Sequence, residues 1–211
     1  RENLRVPWLG MQLKYTFSGH GTEEYLPRHT YFGYRYLELS ATDEVEIESV
    51  ESVPVSSVSK EMENGTFECG NRDINQLVSN VRWGMRSNYL SVPTDCPQRN
   101  ERLGWTADTQ VFAETGTYLA DIDGFLRKWL RDLRDAQYAN GAFPSVAPVA
   151  QYGEEPDRFG WGDAGVIVPY GLWKQYGDLE VLKENRSAIE RYLQRLEHTQ
   201  GATLPGRGQF A

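Results

Sequence analysis

The sequence predicts a mixed fold in which β structure comes first: part of an antiparallel β-sandwich, followed by the first helical hairpins of an α/α toroid. Hydrophobic residues in the first 60 positions often alternate with polar ones, as in strands that bury one side. From about residue 72 they recur every three or four positions, as along an amphipathic helix. The predicted domains are therefore a partial sandwich over residues 1–60 and a helical domain over residues 61–211.

Three stretches predict the strands, and their composition differs. Residues 11–17 alternate strictly between hydrophobic and polar side chains, residues 31–39 are rich in aromatic side chains, and residues 45–55 repeat the alternation with valine and isoleucine. Glycines at positions 19 and 21 indicate a turn between the first two. Together these stretches predict one layer of an antiparallel sheet.

Five helices are predicted after residue 72. The first is capped by Asn71 or Asp73 and ended by Pro93, and the second covers about residues 106–119. The third ends at Asn140-Gly141, and the last two, about 163–176 and 179–197, are separated by Gly177-Asp178. A loop over 144–156 and an irregular tail from 201 complete the chain. Short connections that alternate with long ones favour stacked helical hairpins over a four-helix bundle.

Composition excludes several classes of function. A net charge of −8 disfavours binding to the phosphates of nucleic acid. The sequence contains no run of about 18 apolar residues, so no membrane span is predicted. Cys69, Cys96 and the three histidines do not stand at metal-ligand spacing, so neither a metal nor a cofactor is expected. Secreted, periplasmic and cytoplasmic locations all stay open.

One short segment, predicted to be a loop between the first two helices, concentrates charged and aromatic residues. These are Asp95, Arg99, Glu101, Arg102, Trp105 and Asp108. A solvated turn with surface ion pairs is the simplest interpretation. Pro97 and Gly104 indicate a loop of defined shape, however, and a tryptophan is unusual in a solvated turn. Paired carboxyl groups in a shaped loop suit glycoside hydrolysis, which needs one acid to protonate the leaving oxygen and a second carboxylate to activate water or to attack.

The run that carries these residues, positions 93–108, reads PTDCPQRNERLGWTAD. It resembles the signature loop of bacterial α-L-rhamnosidases of glycoside hydrolase family 78. The resemblance extends upstream to YLPRHTYFGYRY at 25–36 and to residues 65–88, and downstream to RKWLRDL at 127–133 and GWGDA at 160–164. It covers nearly the whole chain except the tail.

The resemblance implies an (α/α)6 barrel, an inverting mechanism and no metal at the reacting centre. By position, Glu101 would be the general acid that protonates the departing oxygen of a rhamnosylated glycoside or polysaccharide. The residues implied to contact or orient the sugar are Asp95, Arg99, Arg102, Trp105, Asp108, Trp161 and Asp163. Of these, either arginine would orient the loop or the sugar, and Trp161 would pack on the apolar side of the rhamnose.

Five of these residues also have a purely structural interpretation. Glu101 would then be an ion-pair partner on the surface, and Asp95 a cap for loop amides. Asp108 and Asp163 would serve the amino-terminal ends of their helices, where negative charge is favoured. Trp105 would be a core residue.

The chain departs from the family pattern in three ways. Asn100 stands where aspartate is frequent, and Ala107 stands where glycine is usual. A complete barrel has twelve helices, whereas about five are predicted here, and the general base and a second sugar-facing tryptophan have no counterpart. We therefore expect a piece of a longer enzyme, with the base elsewhere. The alternatives are a rhamnose-binding module without activity, a related barrel acting on another deoxy- or uronic sugar, and an inactive truncated chain that forms oligomers through exposed helix faces.

Overall fold

The fold was analysed in a computed structural model that describes residues 12–99, 101–150, 158 and 160–200. Within these residues a single 3-10 turn, Lys60–Met62, precedes five helices. The helices are α1, Arg72–Asn88; α2, Thr106–Leu119; α3, Asp123–Asp135; α4, Ala164–Tyr176; and α5, Glu180–Gln200. Two short strands, β1 (Tyr89–Leu90) and β2 (Val92–Pro93), form an antiparallel hairpin directly after α1. Met11, Asn100, most of the second half of the predicted 144–156 loop and the tail from 201 lie outside the described residues.

The predicted β-sandwich portion is wrong. Among described residues 12–58 no strand is formed, and the only paired strands in the described chain are β1 and β2. Alternation marks a side that a strand would bury, but a strand also needs a neighbouring backbone to complete its hydrogen bonds. Phe17, Leu37 and Val53, which belong to the alternating stretches, are each more than half exposed. Side-chain contacts link this region instead, such as the 2.7 Å hydrogen bond between Tyr34 Oη and Ser52 Oγ.

The helical prediction is confirmed. Asn71 caps α1 by accepting hydrogen bonds from the amides of Asp73 and Ile74, and α2 has the predicted bounds. Gly177 ends α4 in the left-handed conformation, with φ of 72°, which glycine adopts without steric cost. The ends of two helices differ from the prediction: α1 stops before the β1–β2 hairpin rather than at Pro93, and α3 stops at Asp135.

Helix α4 packs against three other helices. Helix α2 packs along α4, which also contacts α3 and α5. Helix α3 buries a single face, whereas α4 is hydrophobic around most of its circumference, as expected for a helix with neighbours on several sides. The largest fully buried side chains include Leu126, Trp129, Leu130, Leu133, Phe143, Val168 and Leu172. Each such aliphatic side chain contributes roughly 1.5–3 kcal/mol relative to full exposure.

The charged loop belongs to one of the long connections between the helices. Short connections, residues 120–122 and 177–179, join α2 to α3 and α4 to α5. The long connections are residues 89–105, which precede α2, and 136–163, which precede α4. These two long connections meet through a bridge between Trp105 and Val146.

Within the described residues, no helix is both long enough and apolar enough to cross a bilayer.

Candidate functional site

The loop from Thr94 to Trp105, called the acid loop below, is tied to the protein at both ends. The amide and hydroxyl of Thr94 both donate to the carbonyl of Asn88, at 2.9 and 2.7 Å. At the other end the amide of Ala147 donates to Gly104 O, at 3.0 Å. A β-carbon on Gly104 would lie only 2.3 Å from the carbonyl oxygen of Ala147, so this approach requires glycine.

Asp95 holds the acid loop closed on itself. Its amide donates to Leu103 O, and its carboxylate Oδ1 accepts a 3.1 Å hydrogen bond from the amide of Leu103. The other oxygen, Oδ2, accepts from the thiol of Cys96 at 2.8 Å. The predicted capping role of Asp95 is therefore confirmed, and its contact with a sugar stays a prediction.

The carboxylate of Glu101 has partners on both oxygens. Trp105 Nε1 donates to Oε1 at 2.9 Å, and Arg99 forms an ion pair with Oε2. The thiol of Cys96 lies 3.8 Å from the same Oε2. About a quarter of the Glu101 side chain is exposed (27%), so the carboxyl group is held by the loop and still reachable from solvent. The ion-pair interpretation of Glu101 is thus correct for Arg99, and it is compatible with a catalytic role.

Cys96 is buried at the centre of this cluster. Its sulfur donates to Asp95 and accepts from Arg99 Nε at 3.2 Å. Burial raises the pKa of the Cys96 thiol, and the hydrogen bond to the Asp95 carboxylate raises it further. The arginine opposes this shift without reversing it. The thiol therefore stays protonated and serves as a neutral link between two carboxylates and a guanidinium.

Asp108 lies in the first turn of α2, on the same side as the acid loop. Burial of its carboxyl group raises the pKa of Asp108, although its side chain keeps contact with solvent, and the negative charges of Asp95 and Glu101 add to the effect. A charge effect of this kind requires the three carboxyl groups to lie near one another. Asp95 and Glu101 have oxygens within 4.8 Å of each other, and Asp108 lies near enough for their charges to raise its pKa.

Arg102 turns toward the amino-terminal segment. Its guanidinium carbon lies 4.3 Å from the ring centre of Tyr31 and 5.9 Å from that of Phe32. Its Nε donates to Arg99 O at 2.9 Å. The two arginines therefore differ in role: Arg99 contacts Glu101, whereas Arg102 joins the acid loop to residues 31–32.

Trp161 and Asp163 form a second group of contacts, before α4. The guanidinium of Arg158 lies 4.9 Å from the ring centre of Trp161, and the buried indole Nε1 has no hydrogen-bond partner among the residues that the structure describes. Asp163 occupies the amino-terminal cap position of α4, but its side chain makes no capping hydrogen bond. Its oxygens accept instead from Tyr192 Oη at 2.8 Å and from the amide of Gly160 at 3.2 Å.

The donor atoms of Asp95, Cys96 and Glu101 lie within 4.8 Å of one another, a spacing that metal ligands also show. Arg99 bonds to both Cys96 and Glu101, so its guanidinium supplies the positive charge that a cation would bring. The thiol also donates to Asp95, whereas a coordinating cysteine would be deprotonated. The cluster is accounted for as a hydrogen-bonded network of protein groups.

Two family profiles match this chain. That of the bacterial α-L-rhamnosidase six-hairpin glycosidase domain matches residues 62–211, and that of the bacterial α-L-rhamnosidase concanavalin-like domain matches residues 2–56. The chain belongs to the bacterial α-L-rhamnosidase family. The acid loop, Trp161 and Asp163 all lie within the range of the six-hairpin match.

Individual α-L-rhamnosidases are similar over most of the chain. That of Streptomyces avermitilis is 44% identical over 196 residues, which is 92% of this chain and 19% of that protein. The crystal structure of the Streptomyces avermitilis α-L-rhamnosidase complexed with L-rhamnose superposes with a TM-score of 0.64 and 47% identity, covering 68% of this chain and 14% of that one. The structure of the α-L-rhamnosidase from Dictyoglumus thermophilum gives a TM-score of 0.63 and 40% identity over 65% of this chain and 15% of that one. This chain thus spans about a fifth or less of the length of these relatives.

Two parts of this α-L-rhamnosidase-family site have no counterpart in the sequence predictions. The sequence analysis treats Cys96 only as a possible metal ligand, although a cysteine between Asp95 and Pro97 is the available signal. Tyr192, in the middle of α5, carried no signal, because its contact with Asp163 depends on how α5 packs against the loop before α4.

Proposed function

We propose that this chain supplies the general acid of an inverting α-L-rhamnosidase, and that the acid is Glu101. The observation that carries the proposal is the Glu101 carboxyl group, partly exposed and held through Oε1 by the indole of Trp105. Its substrate would be a terminal α-L-rhamnosyl group on a glycoside or polysaccharide. The family supports this substrate class, and one similar enzyme has been crystallised with L-rhamnose.

In the proposed reaction the Glu101 carboxyl group gives its proton to the glycosidic oxygen while the bond from that oxygen to the anomeric carbon breaks. A second carboxylate, outside this chain, removes a proton from water, whose oxygen attacks the anomeric carbon from the opposite face. The two carboxyl groups of inverting enzymes stand roughly 6.5–9.5 Å apart to leave room for that water. The products are a free alcohol and rhamnose of inverted configuration.

The two carboxyl oxygens of Glu101 have different partners and different proposed roles. The hydrogen bond from Trp105 fixes Oε1, so Oε2 is the oxygen that would carry the proton. The ion pair of Oε2 with Arg99 represents the ionised form that exists after the proton has been transferred. About half of the Arg99 side chain is exposed (51%), so it has room to turn away when Oε2 is protonated again. Asp95 and Asp108 would then contact the hydroxyl groups of the sugar.

The test compares Glu101→Gln with the parent protein in its full natural length, on aryl rhamnosides with a poor and a good leaving group. General acids typically contribute about 10²–10⁴-fold. We expect a loss of that size in kcat on the poor leaving group and a much smaller loss on 2,4-dinitrophenyl rhamnoside, whose departure needs no proton. Glu180→Gln is the matched control, since Glu180 pairs with Lys183 at the start of α5.

The stereochemistry provides a second readout. Proton NMR at early times would detect the β-anomer of L-rhamnose as the first product of an α-linked substrate. Release of the α-anomer first would overturn the inverting mechanism. Equal rates for Glu101→Gln and the parent would remove Glu101 from the role of acid.

A further inference from the structure

We infer that Tyr31 and Gly33, in the segment before the helices, are positioning residues for the general acid. They act through Arg102 and Gln98, which lie in the acid loop on either side of Glu101. The inference rests on the proposed function of Glu101 and adds to it a dependence on residues that are about 70 positions away in sequence.

The backbone of Arg102 is held in an unusual conformation. Its φ is +49°, in the left-handed region that residues with a β-carbon seldom adopt. Such a conformation persists only where surrounding contacts enforce it. Because Arg102 directly follows Glu101, the same torsion helps to set the direction in which the Glu101 side chain points from the loop.

Contacts of the Arg102 side chain help to hold this backbone conformation. Its guanidinium stacks on the ring of Tyr31 at 4.3 Å, and its Nε bonds to the carbonyl of Arg99. A cation over an aromatic face is attracted by the negative charge of the ring surface, and only an aromatic residue provides that surface. The contact fixes Arg102 from outside the loop, while the bond to Arg99 spans the residues around Glu101.

Gly33 brings the same segment against the loop backbone. A β-carbon at Gly33 would lie 2.9 Å from Gln98 Cα and 3.1 Å from Gln98 N. Any side chain there would push the two backbones apart, because the atoms it meets belong to main chain and cannot rotate away. Residues 31–33 thus contact the acid loop at 98 and at 102, on both sides of the general acid.

A misplaced acid has a specific kinetic signature. A carboxyl group that is slightly out of position protonates a poor leaving group less well, whereas a good leaving group departs without help. Loss of Tyr31 should therefore lower kcat on the poor leaving group with little change in KM, and should increase the ratio of the rates on good and poor leaving groups. A residue that only stabilised the fold would lower the active fraction equally for both substrates.

The experiment measures that ratio for variants of the protein in its full natural length. We expect Tyr31→Leu to raise it about tenfold and Tyr31→Phe to restore the parent value, because phenylalanine keeps the ring. Tyr34→Leu is the matched control, since Tyr34 lies in the same segment and bonds to Ser52 instead. Arg102→Lys, which keeps the charge but loses the planar stack, gives a second measurement if Tyr31→Leu fails to fold.

An unchanged ratio in Tyr31→Leu, or in Arg102→Lys where the former does not fold, would overturn the inference while leaving Glu101 as the acid. The same ratio change in Tyr34→Leu would also overturn it. A parent protein without rhamnosidase activity, or a Glu101→Gln variant with parental rates, would overturn the proposed function itself, and the inference with it. The failures of the two proposals are therefore distinguishable.

Discussion

The indole Nε1 of Trp105 donates a 2.9 Å hydrogen bond to Oε1 of Glu101, four residues earlier in the acid loop. Trp105 is itself anchored, because its backbone bridges to Val146 and its carbonyl accepts from the amide of Thr109 in the first turn of α2. The orientation of the Glu101 carboxyl group is therefore transmitted from α2 and from the long connection before α4.

Replacing Trp105 by phenylalanine would keep most of the ring and remove the donor. Hydrogen bonds to charged groups contribute about 1.5–3 kcal/mol. If that energy orients the acid, kcat on a rhamnoside with a poor leaving group should fall about 10- to 100-fold in Trp105→Phe, with a smaller fall on a good one. Steady-state kinetics on the full-length protein would measure both.

Trp83→Phe is the control for this change. Trp83 is exposed on α1, and the guanidinium carbon of Arg86 lies 4.6 Å from its ring centre. Its substitution should leave kcat unchanged. Parental kinetics in Trp105→Phe would mean that the indole hydrogen bond does not orient the Glu101 carboxyl group for the proposed proton transfer.

The helices could be predicted from sequence because their signals are local. Asn71 caps α1 within three residues, and Gly177 ends α4 by its own conformational freedom. The predicted sandwich failed because a strand depends on a second segment to receive its hydrogen bonds, and alternation in one segment says nothing about that partner.

The same distinction between local signals and contacts with distant segments applies to the candidate site. The clustering of Glu101 with Asp95 and Asp108 could be predicted, since all three lie within one loop and the first turn of a helix. The contact of Arg102 with Tyr31 could not, because the two residues are far apart in sequence and no pattern relates them. The thiol of Cys96 between two carboxylates depends on loop geometry that residue types alone do not specify.

Glu63 should make the fold sensitive to acid. Its carboxylate accepts from Arg82 Nη1 at 2.9 Å and from Arg86 Nε, and its side chain is 9% exposed. Burial alone would raise the pKa of Glu63, but the hydrogen bonds and charges of the two arginines outweigh it and hold the pKa below its usual value. A depressed pKa means that the stabilisation is present above the unfolded pKa, about 4.3, and is lost as the pH falls through the lower folded value.

Glu63→Gln should therefore lower the free energy of unfolding by about 2–3 kcal/mol at pH 7, because both arginines lose an ionised partner. The difference between variant and parent should shrink from pH 7 to pH 3, because below the unfolded pKa of about 4.3 the unfolded chain takes up a proton that the folded protein resists. Urea unfolding followed by circular dichroism at the two pH values would measure it. Glu114→Gln is the control, since its pair with Lys174 is exposed to solvent and should contribute little to stability. A difference that is the same at both pH values would contradict the ion-pair explanation.

The two cysteines should differ sharply in their reaction with iodoacetamide, because only the thiolate reacts. Cys96 is buried, and its raised pKa keeps it protonated, whereas Cys69 is partly exposed before α1. At pH 7.5 we expect Cys69 to be alkylated at least about tenfold faster, as measured by peptide mass spectrometry over time. Unfolding in urea should make the two rates nearly equal, and Cys69→Ser should remove the fast reaction. Alkylation of Cys96 first in the folded protein would mean that its thiol does not donate to Asp95, so the neutral link between the two carboxylates of the acid loop would have to be replaced by an exposed, ionised sulfur.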